Sequence, residues 1–325
     1  MQPQAGRENP TPMQATKVRQ VPAALYHLTR AKEHIPFVVP VTVLGSLLAV
    51  HSQGILIDWR LAWVTAANVL AVTFAFMIND IEDWQDDARS PERAQRNPVS
   101  RGDLPPWLGY LACLAVAVAA VVLYSLAGPH VLIIGLSTVL LSHLYSWQVL
   151  RLKAWPLVDV LSHSLMLGGL LFLGGFFAFS AEPGWVWAVA VGITLMSAYG
   201  QIYNQLRDLA DDEAAGLRNT SVLLGPRRAR WLMYAILTAA ALALTMAAWQ
   251  RLFPWPLALV AIAATLLSLR LSKLNDMRGT PANDVSGRYQ SHGLLVTNLT
   301  VGSWLVWTLL SQLGSLGSLT ALVGF

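Results

Sequence analysis

Asn79-Asp80-Ile81-Glu82-Asp83-Trp84-Gln85-Asp86-Asp87 closes one long apolar run, and Asn204-Gln205-Leu206-Arg207-Asp208-Leu209-Ala210-Asp211-Asp212 closes another. The two stretches carry Asn, Asp, Asp and Asp at the same offsets. On a helix advancing about 100° per residue, Asn79, Asp83, Asp86 and Asp87 fall within an arc of about 100°, and Asn204, Asp208, Asp211 and Asp212 do the same. Each stretch therefore presents one acidic face where a hydrophobic helix ends.

The apolar runs around them set the fold class. The chain has 325 residues, 55% of them hydrophobic and only 12% charged, outside the range of soluble globular domains. Nine apolar segments follow one another, near 35–57, 61–82, 105–127, 131–149, 156–180, 184–206, 230–250, 252–271 and 292–314. Each is close to the roughly 20 residues that a helix needs to cross a bilayer. The expectation is an all-α integral membrane bundle of nine transmembrane helices. Residues 1–20, polar and rich in Pro and Gln, read as a disordered tail, and 21–325 as one membrane-embedded catalytic domain of two pseudo-repeated halves. Val21 to His34, with apolar positions at Val21, Ala24, Leu25 and Leu28, reads as an amphipathic surface helix.

Charge placement gives the orientation. Of the 22 Lys and Arg residues, twenty fall in the N-terminal region and the even-numbered connections, leaving only Arg60 and Arg251 on the other side. By the positive-inside rule the N-terminus and both acidic stretches are cytoplasmic and the C-terminus lies opposite. The net charge of +4 is thus a topology signal, and a nucleic-acid surface is not expected. The single cysteine, Cys113, lies in an apolar run and reads as a buried structural thiol.

Carboxylates at bilayer depth cost about 2.5–3.5 kcal/mol each, so a cluster of them lines a wet cavity, holds cations or sits in solvent at the helix ends. A repeated pattern of oxygen-only ligands, with no paired His or Cys, suits Mg²⁺, or Mn²⁺, better than zinc. Magnesium held by few protein groups usually shares its remaining positions with water and substrate phosphates.

Asn79-Asp80-x-x-Asp83-x-x-x-Asp87 and Asp208-x-x-x-Asp212 resemble the two aspartate-rich motifs of the UbiA superfamily of intramembrane prenyltransferases. Tyr145-Ser146-x-x-x-x-Arg151-Leu152-Lys153 is similar to that family's Tyr/Arg/Lys stretch. Arg96-Asn97-Pro98-Val99-Ser100-Arg101-Gly102 resembles its Arg-Pro-…-Gly segment, and Ala215 to Thr220 fits the stretch after the second motif. The chain departs from many relatives at Gln148-Val149, where a Pro pair is common, and in the longer stretch between Asp87 and Arg96.

The resemblance implies a bundle whose acidic motifs bind Mg²⁺ and a prenyl diphosphate. Asn79, Asp80, Asp83, Asp87, Asp208 and Asp212 are then the metal-site residues, with Asp83, Asp87, Asp208 and Asp212 central to catalysis and Asp86 and Asp211 in supporting positions. Arg96, Arg151 and Lys153 become the cations for the diphosphate and Tyr145 a hydrogen-bond partner. Asp159, His163 and Asn204 are candidates for the cavity wall, Asp159 and His163 being either an acceptor-side pair or a packed structural one. Gly168-Gly169 and Gly174-Gly175 are read as sites of close helix packing.

The implied reaction is Mg²⁺-dependent transfer of a prenyl group from an allylic diphosphate to a lipophilic acceptor within the lipid bilayer. Two rivals remain at this stage. One is a UbiA-type terpene cyclase, which ionises the same diphosphate without an acceptor. The other is a cation transporter using intramembrane acids.

Overall fold

The computed structural model describes residues 21–271 and 285–322, with side chains as far as 314; the tail assigned to 1–20 lies outside the described residues. The described residues are helical, with no strand among them. In chain order the helices are α1 (Val21–Thr29), α2 (Ala31–Gln53), α3 (Trp59–Glu82), α4 (Trp84–Asp87), α5 (Pro91–Arg96), α6 (Pro106–Ala127), α7 (Pro129–Ser146), α8 (Val158–Ser164), α9 (Leu170–Phe177), α10 (Val186–Arg207), α11 (Leu209–Ala214), α12 (Thr220–Trp249), α13 (Pro256–Leu271) and α14 (Val285–Leu322). A π-helical turn, Leu165–Gly169, joins α8 to α9, so Val158–Phe177 runs as one span.

Eight helices among the described residues are long and apolar enough to cross a membrane. They correspond to eight of the nine expected segments. The remaining one, α13, has 16 residues, and the chain beyond Leu271 is not described until residue 285. Two boundaries move. Helix α12 starts ten residues before the expected 230, but Gly225 at φ +73, followed by Pro226, kinks it, so a short turn capped by Asn219 precedes the spanning part. Helix α14 starts at Val285 rather than 292, adding nearly two turns that carry Tyr289 and Gln290.

The surface helix also ends earlier than its periodicity suggests. Arg30 adopts a left-handed conformation at φ +48, and α2 begins immediately after it. The turn is held by its own side chain, which reaches Glu33 at 2.6 Å and Asp80 of α3 at 3.1 Å.

Inside the bilayer every polar group needs a protein partner. A knot at Asn68 of α3 meets that need across four helices. Its amide donates to Thr42 of α2 at 2.8 Å and to the Leu171 carbonyl of α9 at 3.0 Å, while Tyr124 of α6 donates to its oxygen at 2.7 Å. Pro40 within α2 has no N–H, which frees the Pro36 carbonyl. Asn298 of α14 supplies the missing donor at 2.8 Å and docks the last helix on α2.

Small residues decide how closely helices approach. A Cβ at Gly175 would lie 2.1 Å from the Thr42 carbonyl, and one at Gly45 would lie 2.1 Å from the Phe172 carbonyl. Helices α2 and α9 therefore meet backbone to backbone, and Ser46 donates to the Gly175 carbonyl at 2.9 Å. The packing role expected of Gly174-Gly175 is what the structure shows at Gly175.

Candidate active site

Both acidic stretches break their helix at the same place. α3 stops at Glu82 with Asp83 at φ −94, ψ 2, and α10 stops at Arg207 with Asp208 at φ −91, ψ 9. A short helix follows each break. The expected single acidic face is thus divided in two, although the chain stays close to helical: Asp83 N–H donates to Asn79 and Asp87 N–H to Asp83, with Asp208 to Asn204 and Asp212 to Asp208 repeating the pattern. The repeat seen in the residues is also a repeat of backbone shape.

The two breaks face one cavity of about 540 Å³, lined among others by Asn79, Asp83, Asp87, Asn204, Asp208 and Asp212. Among the described residues no three acidic, His or Cys groups converge as a ready metal cluster. Most of the carboxylates are met by cations instead, while Asp87 is held by the amide of Asn97. Asp83 is paired with Arg151 at 3.1 Å and, more closely, with Lys153, whose Nζ also lies 3.2 Å from Asn79 Oδ1. Asp86 takes a bond from the same Arg151 at 2.8 Å. Asp208 pairs with Arg207 at 3.0 Å.

The basic loop reaches these acids for a local reason. Gln148, one of the departures noted above, donates from its amide to the Glu82 carbonyl at 2.7 Å and from its backbone to the Glu82 carboxylate at 3.1 Å. These bonds tie the loop to the end of α3. Arg151 then turns the chain in a left-handed conformation at φ +42, and a single 3₁₀ turn over Leu152–Ala154 points Lys153 back at Asp83. A non-glycine residue in that region costs on the order of 1 kcal/mol or more, offset here by two ion pairs from the same side chain.

Arg93, not singled out from the sequence, joins the halves. It extends from α5, just after the first motif, to Asp212 at 2.9 Å and Asp211 at 3.4 Å in the second. In a run with Arg89, Arg96 and Arg101, nothing in the sequence distinguished it as the bridging one.

Two asparagines repeat a second device. Asn97 donates to Asp87 Oδ2 at 2.9 Å and to the Asp80 carbonyl at 2.6 Å, while its own oxygen accepts from Val99 N–H at 3.0 Å. Asn219 donates to Asp212 Oδ2 at 2.8 Å, while its oxygen caps α12 by accepting from Val222 N–H at 2.9 Å. Both side chains are buried. The last aspartate of each motif is therefore oriented by an amide that also shapes the next segment. The signal in the sequence was the Arg-Asn pair after each motif, Arg96-Asn97 and Arg218-Asn219.

Burial raises the Asp87 carboxyl above the ordinary range, opposed by the bond from Asn97. Burial raises Asp212 as well, opposed by Arg93 and Asn219. Both sites penalise unneutralised negative charge.

Other expected residues are placed differently. Asp80 borders the cavity, but its carboxylate is turned to Arg30 at 3.1 Å and away from the paired acids, because it sits about 100° around α3 from Asn79. Arg96 lies at the cavity mouth, 3.3 Å from Glu33. Tyr145 accepts a bond from Gln201 at 2.9 Å, one layer below the acids. His163 and Asn204 line the cavity as expected.

Asp159 does not, and this corrects its reading as a cavity residue. It is fully buried and satisfied by Thr220 N–H at 2.6 Å, by the Thr220 hydroxyl and by Gln205 at 2.7 Å. Its carboxylate pins the start of α8 to the starts of α12 and the end of α10, which is a structural task.

Below the acids the cavity becomes apolar, walled by Phe37 and Val41 of α2, Phe76 of α3, Met166 and Leu167 of the π turn, and Ile193 of α10. From Asp208 to Ile193 it follows α10 for about 22 Å at 1.5 Å per residue. Of the aromatic residues, Phe172 and Phe176 belong to the packed core, and Trp185 and Trp187 are exposed.

Above this long apolar arm stands a charged, two-fold repeated mouth, and the family model described as the UbiA prenyltransferase family matches residues 38–284 of the sequence. The chain belongs to the UbiA prenyltransferase family. A lycopene elongase/hydratase from Haloferax volcanii is 27% identical over 191 residues, covering 54% of this UbiA-family chain and 56% of that protein. The chain thus matches little more than half the length of that curated relative. Among solved structures, a UbiA homologue from Archaeoglobus fulgidus, bound to GPP and Mg²⁺, superposes with a TM-score of 0.67 at 20% identity, covering 87% of this chain and 98% of that one. A UbiA homologue from Aeropyrum pernix K1, in its apo state, gives a TM-score of 0.67 at 20% identity over 85% and 98% of the two chains. These likenesses establish the UbiA fold, a multi-pass helical membrane bundle.

Proposed function

We propose that this protein ionises an allylic prenyl diphosphate at the paired acidic motifs and transfers the prenyl group to a lipophilic acceptor, with Mg²⁺ as cofactor. The observation that carries the reading is the joining of two equivalent acidic breaks and their basic partners at the mouth of one cavity whose remainder is apolar. A diphosphate matches the mouth and an isoprenoid chain matches the arm.

The donor set fits the metal. Asn79, Asp83, Asp87, Asp208 and Asp212 line the cavity and carry oxygen ligands of the kind a hard divalent cation requires. When bound, Mg²⁺ supplies positive charge that stabilises the departing diphosphate. The A. fulgidus homologue solved with GPP and Mg²⁺ supports the same assignment here.

The chain's own residues account for the rest. In the absence of ligand, Lys153, Arg151 and Arg93 neutralise Asp83, Asp86 and Asp212. A diphosphate bound here would take these cations onto its oxygens, and Asp83, Asp87, Asp208 and Asp212 would be the groups to hold Mg²⁺. Lys153 and Arg151 then face negative charge as it develops on the leaving group, which is electrostatic transition-state stabilisation by groups already in place. The apolar walls at Phe76, Met166 and Leu167 exclude water from the carbon end, where a cation would otherwise be quenched. Because Lys and Arg are concentrated on the side of Asp83 and Asp208, the mouth is assigned to the cytoplasmic face, with the C-terminus opposite.

Incubation of the purified protein with geranyl, farnesyl and geranylgeranyl diphosphate, with and without Mg²⁺ and a lipid extract, tests the proposal by mass spectrometry. Mg²⁺-dependent diphosphate release that requires the extract, with a prenylated lipid as product, is expected. A cyclic hydrocarbon or alcohol formed from the diphosphate alone overturns transfer in favour of cyclisation.

A further inference from the structure

Among the polar groups that line the arm of the cavity, Gln290 is one that the proposed diphosphate site does not use. Gln290 lies on α14, on the two turns that precede the expected start of the last span, and it lines the cavity beside Tyr289, Gly293 and Leu294. Its side chain is 8% exposed, and its amide nitrogen has no hydrogen-bond partner among the described residues. Buried amide donors in proteins are almost always paired, so one left open on a cavity wall points to a ligand atom that accepts its hydrogen bond.

The helix that carries this amide is held against α10. Gly200 of α10 stands beside it, where an added Cβ would lie 3.9 Å from Gln290 Nε2, an ordinary van der Waals contact. Gly200 is one helical turn deeper than Asn204 and two turns below Asp208. Tyr199, next to it, donates its hydroxyl to the Ser286 carbonyl, one turn before Gln290, and so sets the register of α14 against α10 at this level. The neighbouring amide of Gln201 is already committed to Tyr145. Among the described residues Gln290 is left as an open donor at the junction between the charged mouth and the apolar arm.

We infer that Gln290 is the polar contact of an acceptor subsite that binds a lipid bearing a hydroxyl or carbonyl oxygen, in contrast to a pure hydrocarbon. The inference rests on the transfer reading above, because it assigns the second substrate of the same cavity. An oxygen placed at Gln290 would hold the acceptor directly below the mouth, with its hydrocarbon part among Phe37, Met166 and Leu294.

Binding of two matched probes to the purified full chain tests this without turnover. Geranylgeraniol and the C20 hydrocarbon lacking its hydroxyl are titrated in detergent micelles, with tryptophan fluorescence as the readout. The alcohol is expected to bind about tenfold more tightly, the scale of one hydrogen bond to a buried donor. Gln290→Leu and Gln290→Met should each remove that preference while keeping the affinity for the hydrocarbon, which also reports that the variant is folded. Equal binding of the two probes by the unaltered protein overturns the inference, as does a preference that survives both substitutions. A rise in KM for prenyl diphosphate without loss of the alcohol preference also overturns it, since the amide would then serve the diphosphate chain. Absence of any diphosphate release would defeat the transfer reading alone and leave the probe comparison intact.

Discussion

Asn219→Ala removes two bonds made by one side chain, and their consequences are separable. The oxygen caps α12 through Val222 N–H at 2.9 Å, and losing such a cap costs about 1 kcal/mol. The amide holds Asp212 Oδ2 at 2.8 Å, and a hydrogen bond to a charged group contributes about 1.5–3 kcal/mol. Together the substitution should destabilise the protein by about 2.5–4 kcal/mol, somewhat less where water reaches the mouth. Asn219→Ser restores a capping oxygen but is too short to reach Asp212, so it should recover about 1 kcal/mol of that loss. Mg²⁺ affinity should behave differently. Removing a group that orients a metal ligand typically costs ten- to a hundredfold, and both variants lack it, so both should require at least about tenfold more Mg²⁺. Thermal unfolding in detergent reads the first effect, and the Mg²⁺ concentration for half-maximal diphosphate release reads the second. If Asn219→Ser keeps both the full stability and the original Mg²⁺ requirement, the amide does not position Asp212 and the pairing with Asn97 is coincidental.

Three further outcomes follow from the same geometry. Asp83→Ala and Asp208→Ala should each abolish diphosphate release while leaving a monodisperse, folded protein in detergent; near-normal turnover in either would end the shared-site proposal. Gly175→Ala should destabilise by about 1–3 kcal/mol, because a methyl group 2.1 Å from the Thr42 carbonyl forces α2 and α9 apart, and a shift in thermal midpoint measures it. The pH response has a definite sign. Burial raises Asp87 and Asp212 in the folded protein, so their ionised forms cost stability at neutral pH; their contribution is fully present below the ordinary carboxylate pKa of about 4 and is lost as pH rises through the raised values. On the proposed assignment Mg²⁺ would need them ionised and would relieve that cost. The stabilisation by Mg²⁺ should therefore be larger at pH 7.5 than at pH 5, and equal thermal shifts at the two would contradict the assignment of these two carboxylates.

The sequence was most informative where one physical constraint acts alone. Bilayer thickness sets span length, and the exclusion of Lys and Arg from one side sets alternation, so eight of the nine expected segments reappear as helices of spanning length. The acidic repeat was legible for a similar reason, since charge at a membrane boundary is costly enough to be placed deliberately. Residues whose role depends on which of several neighbours they meet were harder to see. Asp80 and Asp83 are both acids of one motif, yet one turn of α3 sends Asp80 to Arg30 and Asp83 to Lys153. Asp159 and His163 stand on one face of α8, but only His163 reaches the cavity, because Thr220 and Gln205 close around Asp159.

Arg93 shows why pairing across halves is beyond a linear reading and what it does for the site. The first half supplies a cation that neutralises the second half's Asp212, and the loop after α7 supplies the cations for the first half's Asp83 and Asp86. With Asp87 and Asp212 already penalised by burial, leaving either set of acids without its borrowed cation would add uncompensated charge where desolvation is costly. The arrangement holds the two motifs at one mouth, and on the proposed reading its contacts are the ones that a diphosphate and a divalent cation would jointly replace. Specific recognition then follows from charge balance: a diphosphate without the metal leaves the carboxylates bare, and the metal without the diphosphate leaves the cations bare. Binding of Mg²⁺ and of an uncleavable prenyl diphosphate analogue should accordingly be cooperative, each strengthening the other's binding by the same factor. Calorimetric titration of one in the presence and absence of the other measures that factor, and a value near one would show that the cations and acids act independently.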